Sequence, residues 1–220
     1  MNIPRQYSSA TLSPNGTWIV AGGEDYLRKF RREDNLGFLD STELLRDQAF
    51  DIGPVLPGMM RSHCLTWINN THLFLTGGMV PSPGKSNRAY LLDTTLYPLA
   101  WQPVASMQNT RYSHTCQVVG RDRKQIVITS GFGGGSLVEV FDLDSGTWST
   151  GPELPTTINW YPGSVPYRDS FLLIGGYNYE YMNQLLWLDP SSFSWTKLNQ
   201  TLKTRRNMFA TMLVDDSYCL

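Results

Sequence analysis

The stretch Phe171-Leu172-Leu173-Ile174-Gly175-Gly176, followed by Leu185-Leu186-Trp187-Leu188-Asp189 and then Trp195, recurs with variations along the whole chain. Trp195 follows Trp148 by 47 residues, Trp148 follows Trp101 by 47, and Trp101 follows Phe50 by 51. A period of that size marks a stack of similar supersecondary units. Apolar runs ending at glycine precede each aromatic: Trp18-Ile19-Val20-Ala21 before Gly22-Gly23, Leu73-Phe74-Leu75-Thr76 before Gly77-Gly78, and Ile126-Val127-Ile128-Thr129 before Ser130-Gly131-Phe132. Runs of four or five such residues between turn signals read as strands buried on both faces. Glycine at their ends accepts positive φ and lets another backbone approach closely.

The rest of each unit follows in register. Openings are read at Arg5, Arg61, Arg111 and Arg205, with Asn159-Trp160-Tyr161 where one arginine is missing. A first strand comes next, as in His63-Cys64-Leu65-Thr66-Trp67-Ile68 and His114-Thr115-Cys116-Gln117-Val118-Val119. Third strands are expected at Gly37-Phe38-Leu39-Asp40, Ala89-Tyr90-Leu91-Leu92-Asp93, Val138-Glu139-Val140-Phe141-Asp142 and Leu185-Leu186-Trp187-Leu188-Asp189. Asp40, Asp93, Asp142 and Asp189 then read as turn-formers. The fourth strand carries the aromatic and leads into proline-rich exits such as Gly151-Pro152-Glu153-Leu154-Pro155, suited to an outer edge.

Small four-stranded sheets with two apolar faces each need another sheet on both sides. Radial repetition about an axis satisfies this and leaves only short edges, so the fold expected is an all-β propeller. Trp101, Trp148 and Trp195 are expected to lock neighbouring blades together. The succession of Arg, strand, Gly-Gly, strand ending in Asp, and Trp resembles the kelch repeat of β-propellers. The resemblance covers about Arg5 to Leu198 and implies four blades at about 5–60, 61–110, 111–157 and 158–204, with a partial fifth at 205–220, in one domain. It departs at Gly131-Phe132-Gly133, at the missing arginine of the fourth unit and at Phe50 in place of Trp. Because it implies a ring with more blades, the chain is expected to be a fragment of a longer propeller.

Composition narrows function mainly by exclusion. The 41% of hydrophobic residues among 220 suffices for a sizeable core, and a net charge of -1 gives no global field toward nucleic acid or an acidic membrane. The cluster Arg28, Lys29, Arg31 and Arg32 is followed by Glu33 and Asp34 and reads as a solvated loop. No apolar run is long enough to span a bilayer as a helix, and Met1-Asn2-Ile3-Pro4-Arg5 lacks a signal core. Cys64, Cys116 and Cys219 cannot all pair within one chain; each reads first as a small buried strand residue, with a disulfide as the lesser alternative. Sequons at Asn15, Asn69 and Asn199 are candidate N-glycosylation acceptors and lean the compartment toward the extracellular side, with a cytoplasmic setting as the alternative.

Loops after each Gly-Gly and before each opening fall on one face of such a disc. That face is expected to carry Arg61, Arg111, Tyr112, Trp160, Tyr161, Tyr177, Tyr179, Tyr181, Arg205 and Arg206, in residue types enriched at binding hot spots. The competing reading for each arginine is a scaffold role closing a blade junction. The resemblance implies a docking surface for protein or peptide partners. An enzymatic, copper-oxidase-like alternative would need converging His and Tyr ligands. Only His63, His72 and His114 exist, and they read as structural, so no metal, cofactor or catalytic residue is assigned. The expected role is a non-catalytic interaction scaffold; the alternatives are extracellular recognition or adhesion, and the substrate-recognition part of a ubiquitin-ligase adaptor whose helical domain lies elsewhere.

Overall fold

The structure, a computed structural model, describes residues 1–29, 37–46 and 49–211. Arg31, Arg32, Glu33 and Asp34 of the basic cluster lie outside them, as do Cys219 and most of the partial fifth unit. The described chain is all-β, built of four-stranded antiparallel propeller blades, apart from one helical turn, α1 (Tyr26–Lys29). It divides into two compact units, residues 1–112 and 113–220.

Unit one holds two blades. The first is β1 (Ser9–Leu12), β2 (Trp18–Ala21), β3 (Thr42–Arg46) and β4 (Ala49–Ile52); the second is β5 (Cys64–Trp67), β6 (His72–Thr76), β7 (Ala89–Asp93) and β8 (Gln102–Val104). Unit two holds the blade of β9 (Thr115–Val119), β10 (Gln125–Thr129), β11 (Val138–Asp142) and β12 (Thr147–Thr150). Its second blade is β13 (Gly163–Tyr167), β14 (Ser170–Ile174), β15 (Gln184–Asp189) and β16 (Ser194–Thr201). Each blade is a meander in which every strand pairs with its neighbours in sequence.

The apolar second strands form the core, as their lack of polar alternation requires. In unit one, Ile19 and Ala21 of β2 pack with Leu73 and Leu75 of β6, Leu92 of β7 and Trp101. In unit two, Val127 of β10 and Val138 and Val140 of β11 meet Phe171 and Leu173 of β14 and Leu186 and Leu188 of β15. Trp195 locks this seam as expected. Its ring meets Phe171 edge-on at 5.6 Å, and its Nε1 donates to the Pro152 carbonyl of the preceding blade at 2.8 Å. Trp148 packs on Phe141 of its own blade, at 5.0 Å.

One hydrogen bond recurs at every glycine-ended strand. The amides of Gly23, Gly78, Gly131 and Gly176 donate to the carbonyls of Met60, Arg111, Ile158 and Arg206, at 2.8, 2.9, 3.0 and 3.0 Å. Each acceptor lies on the segment entering the next blade. The approach leaves no room for a side chain: a Cβ on Gly176 would stand 2.5 Å from Ile158 Cγ2, and φ there is +104°. In the third blade, Ser130 (φ 62°) and Gly131 (φ 86°) hold the two glycine positions, so the departure read from the sequence is a single Gly-to-Ser exchange.

A second recurrence corrects the register of the openings. Tyr7, Ser62, Ser113, Tyr161 and Met208 all have positive φ, between 46° and 58°. Ser62 donates its amide to the Tyr7 carbonyl, Tyr161 to Ser113 and Met208 to Tyr161. Counting back from these residues, Arg5, Met60, Arg111, Asn159 and Arg206 are equivalent. Arg61 stands one place later, with Gln6, Tyr112, Trp160 and Asn207, and Arg205 one place earlier. The expected row Arg5, Arg61, Arg111, Arg205 therefore mixes three registers.

The first blade departs from expectation. Its third strand is Thr42–Arg46, not Gly37-Phe38-Leu39-Asp40. Residues 37–39 form the lead-in: Phe38 bridges Glu24, and Leu39 donates its amide to Gly23 and is fully buried. Asp40 therefore does not open the outer turn. The actual strand is disguised by a carboxylate, Glu43, buried in a cage of donors. Burial raises its pKa, but bonds from the Asn2 amide and Arg5, the charge of Arg5 and the Ile3 amide outweigh this and hold it below the usual value.

The seam predicts a graded loss. Trp195→Ala is expected to lower the free energy of unfolding of the full chain by about 3 kcal/mol, and Trp195→Phe, which keeps a ring but loses the bond to Pro152, by about 1 kcal/mol. Urea denaturation checks this; equal stability of all three proteins would contradict an interlocking role.

Candidate functional site

At the position after Met60 in unit one and after Asn159 in unit two, the same junction is built from opposite chemistry. In unit one it holds Arg61, which bridges Met79 in the backbone. Arg61 Nη1 donates to Glu24 Oε2 at 2.7 Å and Nη2 to Met79 Sδ at 3.1 Å, and its guanidinium lies 5.1 Å from the centre of the Tyr7 ring and 5.0 Å from that of Phe38. Glu24 and Met79 each follow the second glycine of their blade. Arg61 is thus held between two blades, in the scaffold role weighed against binding.

In unit two the equivalent residue is Trp160, which bridges Tyr177 in the backbone. Phe132 and Tyr177 follow the second glycines, Gly131 and Gly176. Phe132 stacks on Trp160 with centroids 5.4 Å apart and planes at 23°. Trp160 meets Tyr177 at 5.6 Å and 52°, and Tyr177 meets Tyr181 edge-on at 5.2 Å and 65°. The result is a continuous strip of four rings across two blades, where unit one has an ion pair and a thioether. Its outer members face water: Phe132 is 38% exposed, Tyr181 54% and the adjacent Tyr179 82%.

The loop bearing Tyr177, Tyr179 and Tyr181 is fixed from beneath. Asn178 donates its amide to the Glu180 carbonyl at 3.0 Å, Tyr177 and Trp160 exchange amide bonds, and Asn159 Nδ2 donates to Asn178 Oδ1 at 2.7 Å. Met182 donates to Gly176, closing the loop. Arg205 Nη1 reaches Glu180 Oε2 at 3.3 Å with both side chains mostly in solvent. Arg206 donates its amide to Met182 and its Nε to the Thr204 carbonyl, so cations line the edge of this loop.

The other expected face residues fall differently. Arg111 is fully buried, the largest side chain so enclosed among the described residues, and is corrected from a surface contact to an internal group. Tyr112 is half-buried in unit one, and Tyr161 is half-buried with strained backbone at φ 46°. Phe132 is hidden in the sequence because it interrupts the glycine register. Placing Ser130-Gly131 on Gly175-Gly176 would have set Phe132 opposite Tyr177.

The groups considered for catalysis take structural positions. Asp93, Asp142 and Asp189 accept bonds from the hydroxyls and amides of Thr95, Ser145 and Ser191, which hold their carboxyls below the ordinary value. His72 is half-buried, with Nδ1 2.9 Å from Thr71 Oγ1 and Nε2 3.6 Å from Asp93. His63 is buried against the approach of Gly22 and Gly78, with neither ring nitrogen hydrogen-bonded among the described residues. Among the described residues no group of three or more His, Cys, Asp or Glu side chains is placed to hold a metal ion, and no helix is long and apolar enough to cross a membrane. Cys64 and Cys116 are both disulfide-bonded, which corrects the reading of them as simple strand residues. Compared with protein-family models and with curated proteins, the chain matches none.

Burial lowers the pKa of His63 to about 4. The unfolded chain, titrating near 6.5, then binds a proton that the folded chain refuses. The stability conferred by keeping His63 neutral is complete above pH 6.5 and is lost as pH falls toward 4, to a total of about 3 kcal/mol. Urea unfolding of the native chain and of His63→Leu at pH 4.5 and 7 checks this. The variant should lose that part of the pH slope; an identical slope would place the ring in contact with water.

Proposed function

We propose that this chain is a non-catalytic, kelch-type interaction module that binds a protein or peptide partner through the aromatic strip of unit two. The observation that carries this reading is the exposure of the strip. Blade geometry accepts Glu24, Arg61 and Met79 at the junction in unit one, so it does not demand Phe132, Trp160 and Tyr177 in unit two. Solvent-facing aromatics beyond what packing needs are the residue types that dominate binding energy. The backbone bonds under residues 177–182 hold the rings in place before a partner arrives, which lowers the ordering cost of association.

The kelch assignment rests on the ordered recurrence of glycine pair, acidic turn and outer aromatic, joined by the four glycine-amide bonds. A setting outside the cytosol is the second reading. The disulfide-bonded Cys64 and Cys116 favour it, because such bonds persist in oxidising compartments, and the three sequons agree with it. The ubiquitin-ligase adaptor role has no such observation in its support.

Panning a random peptide library against the full chain, and counter-screening on Phe132→Ala/Tyr181→Ala, tests the interaction reading. Selected peptides should lose at least tenfold in affinity on the double variant, since each ring contributes about 1 kcal/mol beyond its buried area. Peptides that bind both proteins equally would move the site off the strip.

A further inference from the structure

We infer that the strip takes an extended, proline-rich segment in the left-handed polyproline conformation, with a carboxylate beside the prolines. This rests on the interaction reading above and specifies the partner's chemistry. The rings do not lie in one plane: successive rings from Phe132 to Tyr181 are tilted by 23°, 52° and 65°. Rings set at such angles give an uneven apolar surface that suits a ridge of prolyl rings, whereas a sugar chain stacks best on broad coplanar faces. The polyproline helix rises about 9 Å per turn of three residues. The two successive ring spacings, 5.6 and 5.2 Å, put the end rings Trp160 and Tyr181 at a comparable separation, so prolines one turn apart meet those two rings.

Hydrogen bonding fits the same ligand. A polyproline segment has no internal hydrogen bonds, and its carbonyls stand free to accept. The hydroxyls of Tyr177, Tyr179 and Tyr181 have no partner among the described residues. They are the donors that such carbonyls need, in the aromatic-lined mode of peptide recognition.

Charge places the carboxylate. Lys203 and Arg206 are exposed and pair with no carboxylate among the described residues. Among the described residues Arg205 has only the solvent-screened contact with Glu180, a type of pair with little net stability. Arg206 adjoins the loop through its bond to Met182 and Arg205 through Glu180, and Lys203 follows Leu202, whose amide donates to Asn183. One ligand carboxylate beyond the prolines meets an edge that, among the described residues, carries more cations than anions.

Calorimetric titration of the full chain tests this with an octaproline peptide ending in two aspartates. The comparison probes are the same peptide ending in two lysines, a Gly-Ser peptide ending in two aspartates, and a hexasaccharide of glucose. The proline-aspartate peptide is expected to bind, the lysine form about fivefold more weakly, and the Gly-Ser form at least tenfold more weakly. Tyr181→Ala should weaken the first probe at least tenfold, and Tyr181→Phe about threefold through loss of the hydroxyl. Because Tyr181 is 54% exposed, an unchanged melting temperature is expected for both variants. Equal binding of the Gly-Ser peptide, indifference to Tyr181→Ala, or preferential binding of the hexasaccharide would overturn the inference. Failure of every proline probe while library-selected peptides still need the rings would sink this inference alone. Ring-independent binding of all peptides would sink the interaction reading with it.

Discussion

The arrangement depends on an amide hydrogen bond that only a residue without a side chain can make. At the end of each second strand the chain must reach the segment that opens the next blade. The amides of Gly23, Gly78, Gly131 and Gly176 do so at 2.8 to 3.0 Å, with the backbone in the left-handed region. A Cβ at Gly23 would stand 2.7 Å from the Gln6 carbonyl, and one at Gly78 2.8 Å from His63 Cβ. The contact thus couples strand ending, loop start and blade junction in a single peptide unit. Apolar burial supplies the larger energy but has no direction. The glycine amide fixes where one blade stands against the next within each unit.

From that constraint the site follows. The residue after the second glycine is carried to the opening position of the next blade, so whatever side chains stand there must meet. In unit one they are Glu24, Arg61 and Met79, and the junction is closed by charge and sulfur. In unit two they are Phe132, Trp160 and Tyr177, and the junction becomes a row of rings that continues to Tyr181. The scaffold is common to both; the chemistry presented to solvent is particular to the second. This separation of scaffold from site is how a repeat fold carries binding without changing its architecture.

Much of the fold could be read from the sequence because its determinants are local. Continuous apolar runs, glycine pairs and Asp turns each lie within a few residues of one another, and three of the four third strands fall where the pattern places them. The first blade was obscured because Gly37-Phe38-Leu39-Asp40 imitates an apolar strand ending in Asp. The real strand carries Glu43, whose burial makes sense only once Arg5, Asn2 and Ile3 are brought to it from about forty residues away. The openings failed for a related reason. Arginine is a misleading marker, because the true one is a backbone conformation shared by two tyrosines, two serines and a methionine: Tyr7, Ser62, Ser113, Tyr161 and Met208. The site was half legible. Trp160, Tyr177, Tyr179 and Tyr181 were visible as an aromatic excess, while Phe132 and the burial of Arg111 depended on register and long-range packing.

Hydrogen exchange at the four glycine amides tests the central claim most directly. If these bonds set the blade junctions, the amides of Gly23, Gly78, Gly131 and Gly176 exchange only with the opening of the strands they terminate, with protection matching that of Ile128 and Leu173. Exchange at loop rates, while the strand amides stay protected, would show that the blades hold their places without them.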